Sequence, residues 1–355
     1  MKQVIRELRR TATEDWPILA GAFGIWAVLV LLLAAKGVDG LNPGSYRSNL
    51  LLYVVTLSVL SLLAGGWALY RAKPNSPIAF LIQLVTRGDV PRRFIRGVPL
   101  LAALVVFMPA FSTMKSAIPL FNAHNWDGAF IAADQAIHGG DAWRLLQPVL
   151  GFPIVTSALS LMYVVWFFVI YASSIYFCFL ARDRELRAQY FIAYFASWTI
   201  CGVFLATLFA SVGPCFVGPL LGDASFDAQM AYLRAADEQI PVMTLQVQQM
   251  LLDWHRADAD GLGSGITAMP SMHVAIAFLF WLAVRKVPQR GGRWMLTFLV
   301  LIWIGSVHLA YHYMVDGLVS IALVALLWWL SRKVLAGWDA LLAQAALRTN
   351  TVPAE

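Results

Sequence analysis

Two short polar groups interrupt apolar stretches near the C-terminal end of this 355-residue chain. The first reads Ser264-Gly265-Ile266-Thr267-Ala268-Met269-Pro270-Ser271-Met272-His273 and runs into a purely apolar segment. Proline suits a first helical turn, where its missing N–H is not needed. A helix opening there leaves free N–H groups around Ser271–His273 at a partly positive end, which is a ready anion site. Ser271 adds a hydroxyl donor and His273 a proton donor. Alone, the group also reads as a simple helix cap with His273 at the membrane interface.

The second group reads Ser306-Val307-His308-Leu309-Ala310-Tyr311-His312-Tyr313-Met314-Val315-Asp316. As a helix, it sets His308, His312 and Asp316 four apart on one face. A carboxylate one turn from an imidazole accepts its ring N–H and leaves the other nitrogen free as nucleophile or base. The competing reading is a metal pair, because His residues at this spacing bind zinc. No HExxH motif accompanies them, and Cys178, Cys201 and Cys215 form no metal or disulfide pattern.

The elements that must position these groups are membrane helices. Apolar and aromatic residues make up 60% of the chain and charged ones 13%, with mean hydropathy +0.69; soluble domains carry about 25% charged residues. That excludes a water-soluble globular enzyme, a disordered chain and a coiled coil. Fourteen Trp suit membrane–water interfaces. Eight apolar segments approach the roughly 20 residues a crossing needs. They are Trp16–Ala35, Leu50–Tyr70, Gly97–Met114, Ile154–Ala181, Phe191–Ala210, Met272–Val284, Trp294–Ala310 and Gly317–Leu335. The sixth is short. The first is too long for a signal-peptide core and is expected to be retained. The expected fold is therefore all-α, a polytopic membrane helical bundle of about eight transmembrane helices.

Net charge is +6. Twenty of the 26 Lys and Arg fall in alternate connections that include both termini, the positive-inside pattern. Both termini are thus expected in the cytoplasm, and no nucleic-acid partner is expected. The two polar groups fall on the opposite, non-cytoplasmic side, as do Lys115 and two long connections, Lys115–Pro153 and Ser211–Pro270. The latter holds seven acidic residues, among them Asp223, Asp227, Asp237, Asp258 and Asp260. Within it, Ala228–Trp254 is expected as one helix along the membrane face. Arg348–Glu355 is expected as a frayed tail.

A nucleophilic imidazole, a carboxylate to orient it, a second imidazole as acid and an anion pocket are the parts for phosphoryl transfer through a phosphohistidine, with no metal or other cofactor. Lys115 supplies a positive charge for the phosphate, or else snorkels to the interface.

Pro270-Ser271-Met272-His273 and His312-x-x-x-Asp316 resemble the second and third signature motifs of the type 2 phosphatidic acid phosphatase superfamily. Lys115-Ser-Ala-Ile-Pro119, Trp126-Asp127, Asp134, Gly213-Pro214-Cys215 and Ser306-Val307-His308 are closer to its inositol phosphorylceramide synthase-like branch. The resemblance covers about Phe111 to Leu330. It implies a six-helix phosphatase-like core over 97–340, preceded over 1–96 by an amphipathic segment and two accessory helices, with 341–355 as a flexible tail. It implies His312 as nucleophile, Asp316 as its orienting group and His273 as acid and base. It also implies Ser271 and Lys115 as phosphate-binding residues. Two Arg positions of the superfamily pattern are here Asn122 and Ser306. His308 is expected to fill part of that gap.

The implied activity is that of a metal-independent histidine phosphatase or phosphotransferase acting on a membrane lipid phosphate at the extracytoplasmic face. Water, a lipid hydroxyl or a polyol hydroxyl is the acceptor. An isoprenoid (polyprenyl) phosphate phosphatase is the alternative within this chemistry. A proton- or metal-coupled membrane transporter is the alternative outside it.

Overall fold

Long apolar runs satisfy their own backbone only as helices when water is excluded, and the described residues of this chain are mostly helical. The computed structural model describes residues 2–86, 89–257, 259, 263–286 and 289–350, with the backbone alone for 2–12, 289–290 and 345–350. Among the described residues there is no strand. In chain order the main helices are α1 (Lys2–Ala35), α2 (Pro43–Ala72), α3 (Pro77–Thr86), α4 (Val90–Ser116), α5 (Asp127–His138), α6 (Ala142–Leu150), α7 (Pro153–Ile175) and α8 (Arg184–Thr199). They continue with α9 (Asp227–Asp237), α10 (Met243–Arg256), α11 (Met272–Val284), α12 (Gln289–His308) and α13 (Met314–Asn350).

Among the described residues, six stretches are long and apolar enough to cross a membrane: Thr13–Ala35, Pro43–Ala72, Val90–Ser116, Pro153–Leu180, Arg184–Leu208 and Met314–Gln344. The chain is thus a polytopic membrane helical bundle. The other two expected spans also fold as helices, α11 with 13 residues and α12 with 20. Helix α11 is apolar on all sides because it packs among α7, α8, α12 and α13. Ala275, Ile276, Ala277, Leu279 and Phe280 are fully buried there.

One expectation changes. Ala228–Trp254 is two helices, α9 and α10, because Pro241 breaks the run and the Val242 N–H donates to Asp237 Oδ1 at 2.7 Å. The C-terminal segment stays helical through Asn350. Asp258, Asp260 and residues 351–355 lie outside the described residues.

Local chemistry sets the ends of several helices. Asn42 accepts the Gly44 N–H at 2.9 Å ahead of Pro43 and opens α2. Asp183 accepts the Leu186 N–H at 3.1 Å and opens α8. Helix α1 packs along α4 and α8, and α2 lies against both α4 and α7. Asn49 of α2 is fully buried. Its amide donates to Val105 O at 3.0 Å and Leu104 O at 3.4 Å, and its oxygen accepts the Tyr171 hydroxyl at 3.0 Å.

A buried ion pair joins α1 to α8. Arg187 Nη1 sits 2.8 and 2.9 Å from the two Asp15 carboxylate oxygens. The same guanidinium donates to Phe177 O and Arg96 O. Removing one partner strands the other charge away from water. Asp15→Ala is therefore expected to destabilise the fold by about 3–5 kcal/mol, read as a lower unfolding midpoint in detergent. Adding Arg187→Met should recover much of that loss, because both charges are then gone.

Candidate active site

The ends of α4, α8 and α12 and the starts of α7, α11 and α13 meet at one end of the bundle, joined by the two long connections. Two carboxylates on α5, seven residues apart and so on one helical face, organise that end. Asp127 accepts the N–H groups of Val212 (2.9 Å) and Gly213 (2.9 Å) and the Tyr313 hydroxyl (2.8 Å). Asp134 accepts the N–H groups of Met314 and Val315, both at 2.8 Å, and so caps α13. Burial, then the Asp127 charge, hold the Tyr313 phenol well above its usual range, so it remains a neutral donor. Burial also raises the Asp134 carboxyl, against the opposing pull of the two amides.

His308 to Asp316 is not one helix. α12 ends at His308, Ala310 takes a left-handed conformation (φ 61°), and α13 begins at Met314. The Tyr311 and His312 N–H groups fold back on Ser306 O at 2.9 and 3.1 Å. Gln229 and Gln248 donate to the last carbonyls of this turn, Val307, His308 and Leu309. The turn separates the two histidines. His308 Nε2 bonds Thr156 Oγ1 at 2.8 Å, in a chain with the Tyr232 hydroxyl, and His308 does not line the cavity described below. The expected single helical face shared by His308, His312 and Asp316 is corrected by that break, which leaves His308 bonded to Thr156.

His312 and Asp316 do meet. Asp316 is fully buried in the first turn of α13, and its Oδ2 lies 3.1 Å from His312 Nδ1 and 3.1 Å from the Tyr313 N–H. With Nδ1–H donating to the carboxylate, Nε2 is left as the free nitrogen. The His273 ring centroid is 6.0 Å from that of His312. Tyr163 stacks on His273 at 4.1 Å and Trp166 packs against it at 4.0 Å. The Trp166 indole N–H also donates to the His273 carbonyl at 3.0 Å. These two aromatic residues hold the imidazole, and their spacing on α7 carries no signal of that role among so many aromatics.

Pro270 stands one residue before the helix cap, outside the first turn. Ser271 is the cap itself: its hydroxyl accepts the Val274 N–H at 3.4 Å, and its side chain is buried and does not line the cavity. This is the helix cap that the sequence offered as the second reading of the group. Ser306, at one missing Arg position, bonds back to Trp303 O, and Asn122, at the other, donates to Thr207 O.

Lys115, His273 and His312 face one cavity of about 250 Å³. Its remaining walls are largely apolar and come from α2, α4, α7, α8, α10 and the segment before α11. Among the described lining residues, Lys115 is the one Lys or Arg. The segment before α11 is pressed against the end of α4. The Gly263 N–H donates to Ser112 Oγ at 3.0 Å, and the Ser116 and Ser264 hydroxyls are 2.6 Å apart. Gly265 has φ +88°, and a Cβ there would lie 2.7 Å from both Lys115 C and Ser116 N. Gly265→Ala is expected to cost about 1–3 kcal/mol in backbone strain. Through an ångström-scale shift of Lys115 it is expected to cost about a hundred-fold in turnover. Unfolding midpoint and kcat on the same preparation check both.

Among the described residues, no three His, Cys, Asp or Glu side chains are grouped as metal ligands. Searches of curated proteins and of solved structures return no match. A family model described as the PAP2 superfamily matches residues 128–330, a range that holds His273, His312 and Asp316. With more than half of its length inside that match, the chain belongs to the PAP2 superfamily.

Proposed function

We propose that this protein is an integral membrane enzyme that cleaves a lipid phosphate ester through a phosphohistidine at the non-cytoplasmic face. Superfamily membership and the long apolar helices support a membrane lipid phosphatase-type function. The observation that carries the mechanism is the pairing of His273 and His312 at 6.0 Å in one cavity, with His312 tied to Asp316.

In this reading, His312 Nε2 attacks phosphorus while its Nδ1–H donates to Asp316. The bond from phosphorus to the lipid oxygen breaks, and His273 gives its proton to the leaving alkoxide. Lys115 and the first-turn amides of α11 balance charge on the phosphoryl oxygens. An acceptor hydroxyl then loses its proton to His273 and attacks the phosphohistidine. The N–P bond breaks, and His312 is restored.

The acceptor is water or an alcohol. Thr244, Val247, Leu251 and Trp254 of α10 form part of the cavity wall, and a covered site limits water. This cover, with the likeness to the inositol phosphorylceramide synthase-like branch, favours transfer of a phospho-head group to a lipid or polyol hydroxyl. In this reading both termini are cytoplasmic, a placement that the Lys and Arg distribution supports.

The test is to incubate purified protein with a panel of labelled phospholipids, quench in acid-free conditions, and recover the phosphoenzyme. Label on His312, diverted to product by an added alcohol, is expected. Hydrolysis product alone at every acceptor concentration (phosphate from a monoester, the phosphorylated head group from a diester) would remove the transferase version. Competition between polyprenyl and glycerolipid phosphates separates the isoprenoid alternative.

A further inference from the structure

The cavity continues well below the histidines. On α7 its wall runs from Tyr163, stacked on His273, to Tyr171, and on α4 from Lys115 to Met108. Eight helical steps of about 1.5 Å, from Tyr163 to Tyr171, make the α7 wall about 12 Å deep, room for an extended alkyl chain of roughly nine or ten methylenes. Tyr53 of α2 lines the inner end, 1% exposed, with its ring 4.6 Å from that of Tyr171.

Helices α4 and α7 scarcely pack on each other; α2 lies against both and closes the gap between them. Asn49 sets its depth, because it bonds the Leu104 and Val105 carbonyls of α4 and the Tyr171 hydroxyl of α7. Tyr53 is one helical turn further along the same face. Helix α2 lies outside the residues matched by the family, yet it completes this end of the cavity.

We infer that α2 is a specificity element: Tyr53 is the floor of an acyl-chain pocket and sets the longest straight chain that the site holds in full. The inference rests on the reading of the substrate as a lipid phosphate. Each methylene that moves from water into apolar walls adds roughly four-fold to affinity. That gain should continue with chain length until the chain meets Tyr53, then stop.

Calorimetric titration of the purified full chain with straight-chain alkylphosphonates of increasing length measures this without turnover. For the wild type, log Kd is expected to fall with each methylene and then break to a plateau. Tyr53→Ala should move the break to longer chains, and Tyr53→Phe should leave it in place. Ile170→Phe, which narrows the cavity above the floor, should move it to shorter chains and serves if Tyr53→Ala does not fold. A break unmoved in a folded Tyr53→Ala or Ile170→Phe protein, or no break at all, would overturn the inference. Parallel turnover of the matching alkyl phosphates tests the enzymatic reading separately. A movable break without turnover would sink the enzymatic reading and leave the chain pocket standing.

Discussion

His312→Ala is expected to abolish turnover, with kcat lower by about 10⁴- to 10⁶-fold, the scale seen when a covalent nucleophile is removed. The residue is 5% exposed and lies in the turn between α12 and α13, which Asp127 and Asp134 hold through the Tyr313 hydroxyl and the Met314 and Val315 N–H groups. The fold should therefore survive, and the unfolding midpoint should stay close to that of the wild type. No labelled phosphoenzyme should be recovered. Turnover retained within ten-fold in folded protein would remove the phosphohistidine from the mechanism. Asp316→Asn gives a milder contrast, because the amide preserves shape while removing the charge that steadies the imidazolium.

The second large effect separates acid catalysis from binding. His273→Asn is expected to lower kcat on alkyl phosphate esters by about 10²- to 10⁴-fold, the usual contribution of a positioned general acid. In the burst of leaving-group release that reports phosphoenzyme formation, the loss should be far smaller on a nitrophenyl ester, because a nitrophenolate leaves without a proton; breakdown of the phosphohistidine, where His273 takes the acceptor's proton, should slow equally for both esters. A variant whose burst rate falls by the same factor on both esters would place His273 in binding or packing instead. Its contacts with Tyr163 and Trp166 make the control necessary, since an altered ring stack could disturb the cavity. A Tyr163→Phe variant, which keeps the ring, should leave the ratio between the two esters unchanged.

The same region contrasts local and distant control. Near His312, a four-residue spacing to Asp316 is enough to bring the pair within 3.1 Å, even though the helix starts only at Met314. Near His308 the same spacing fails. One left-handed residue, Ala310, turns the chain, and side chains from α7, α9 and α10 then take up the polar groups on the far side. Spacing rules assume an unbroken helix, so they hold up to the break and not across it.

Composition alone determined that this chain is a helical membrane protein, because so apolar a backbone must satisfy its hydrogen bonds within helices. Residue order also marked Lys115, His273, His312 and Asp316 as groups able to act on a phosphate. Only the tertiary structure brought Lys115, His273 and His312 to one cavity, since their neighbours are more than a hundred residues apart in places. Only it took His308 away to Thr156, because burial makes a polar atom bond whatever partner packing supplies. The floor at Tyr53 belongs to the same class. It depends on Asn49 reaching carbonyls 55 and 56 residues away, a contact that exists only once α2, α4 and α7 have packed.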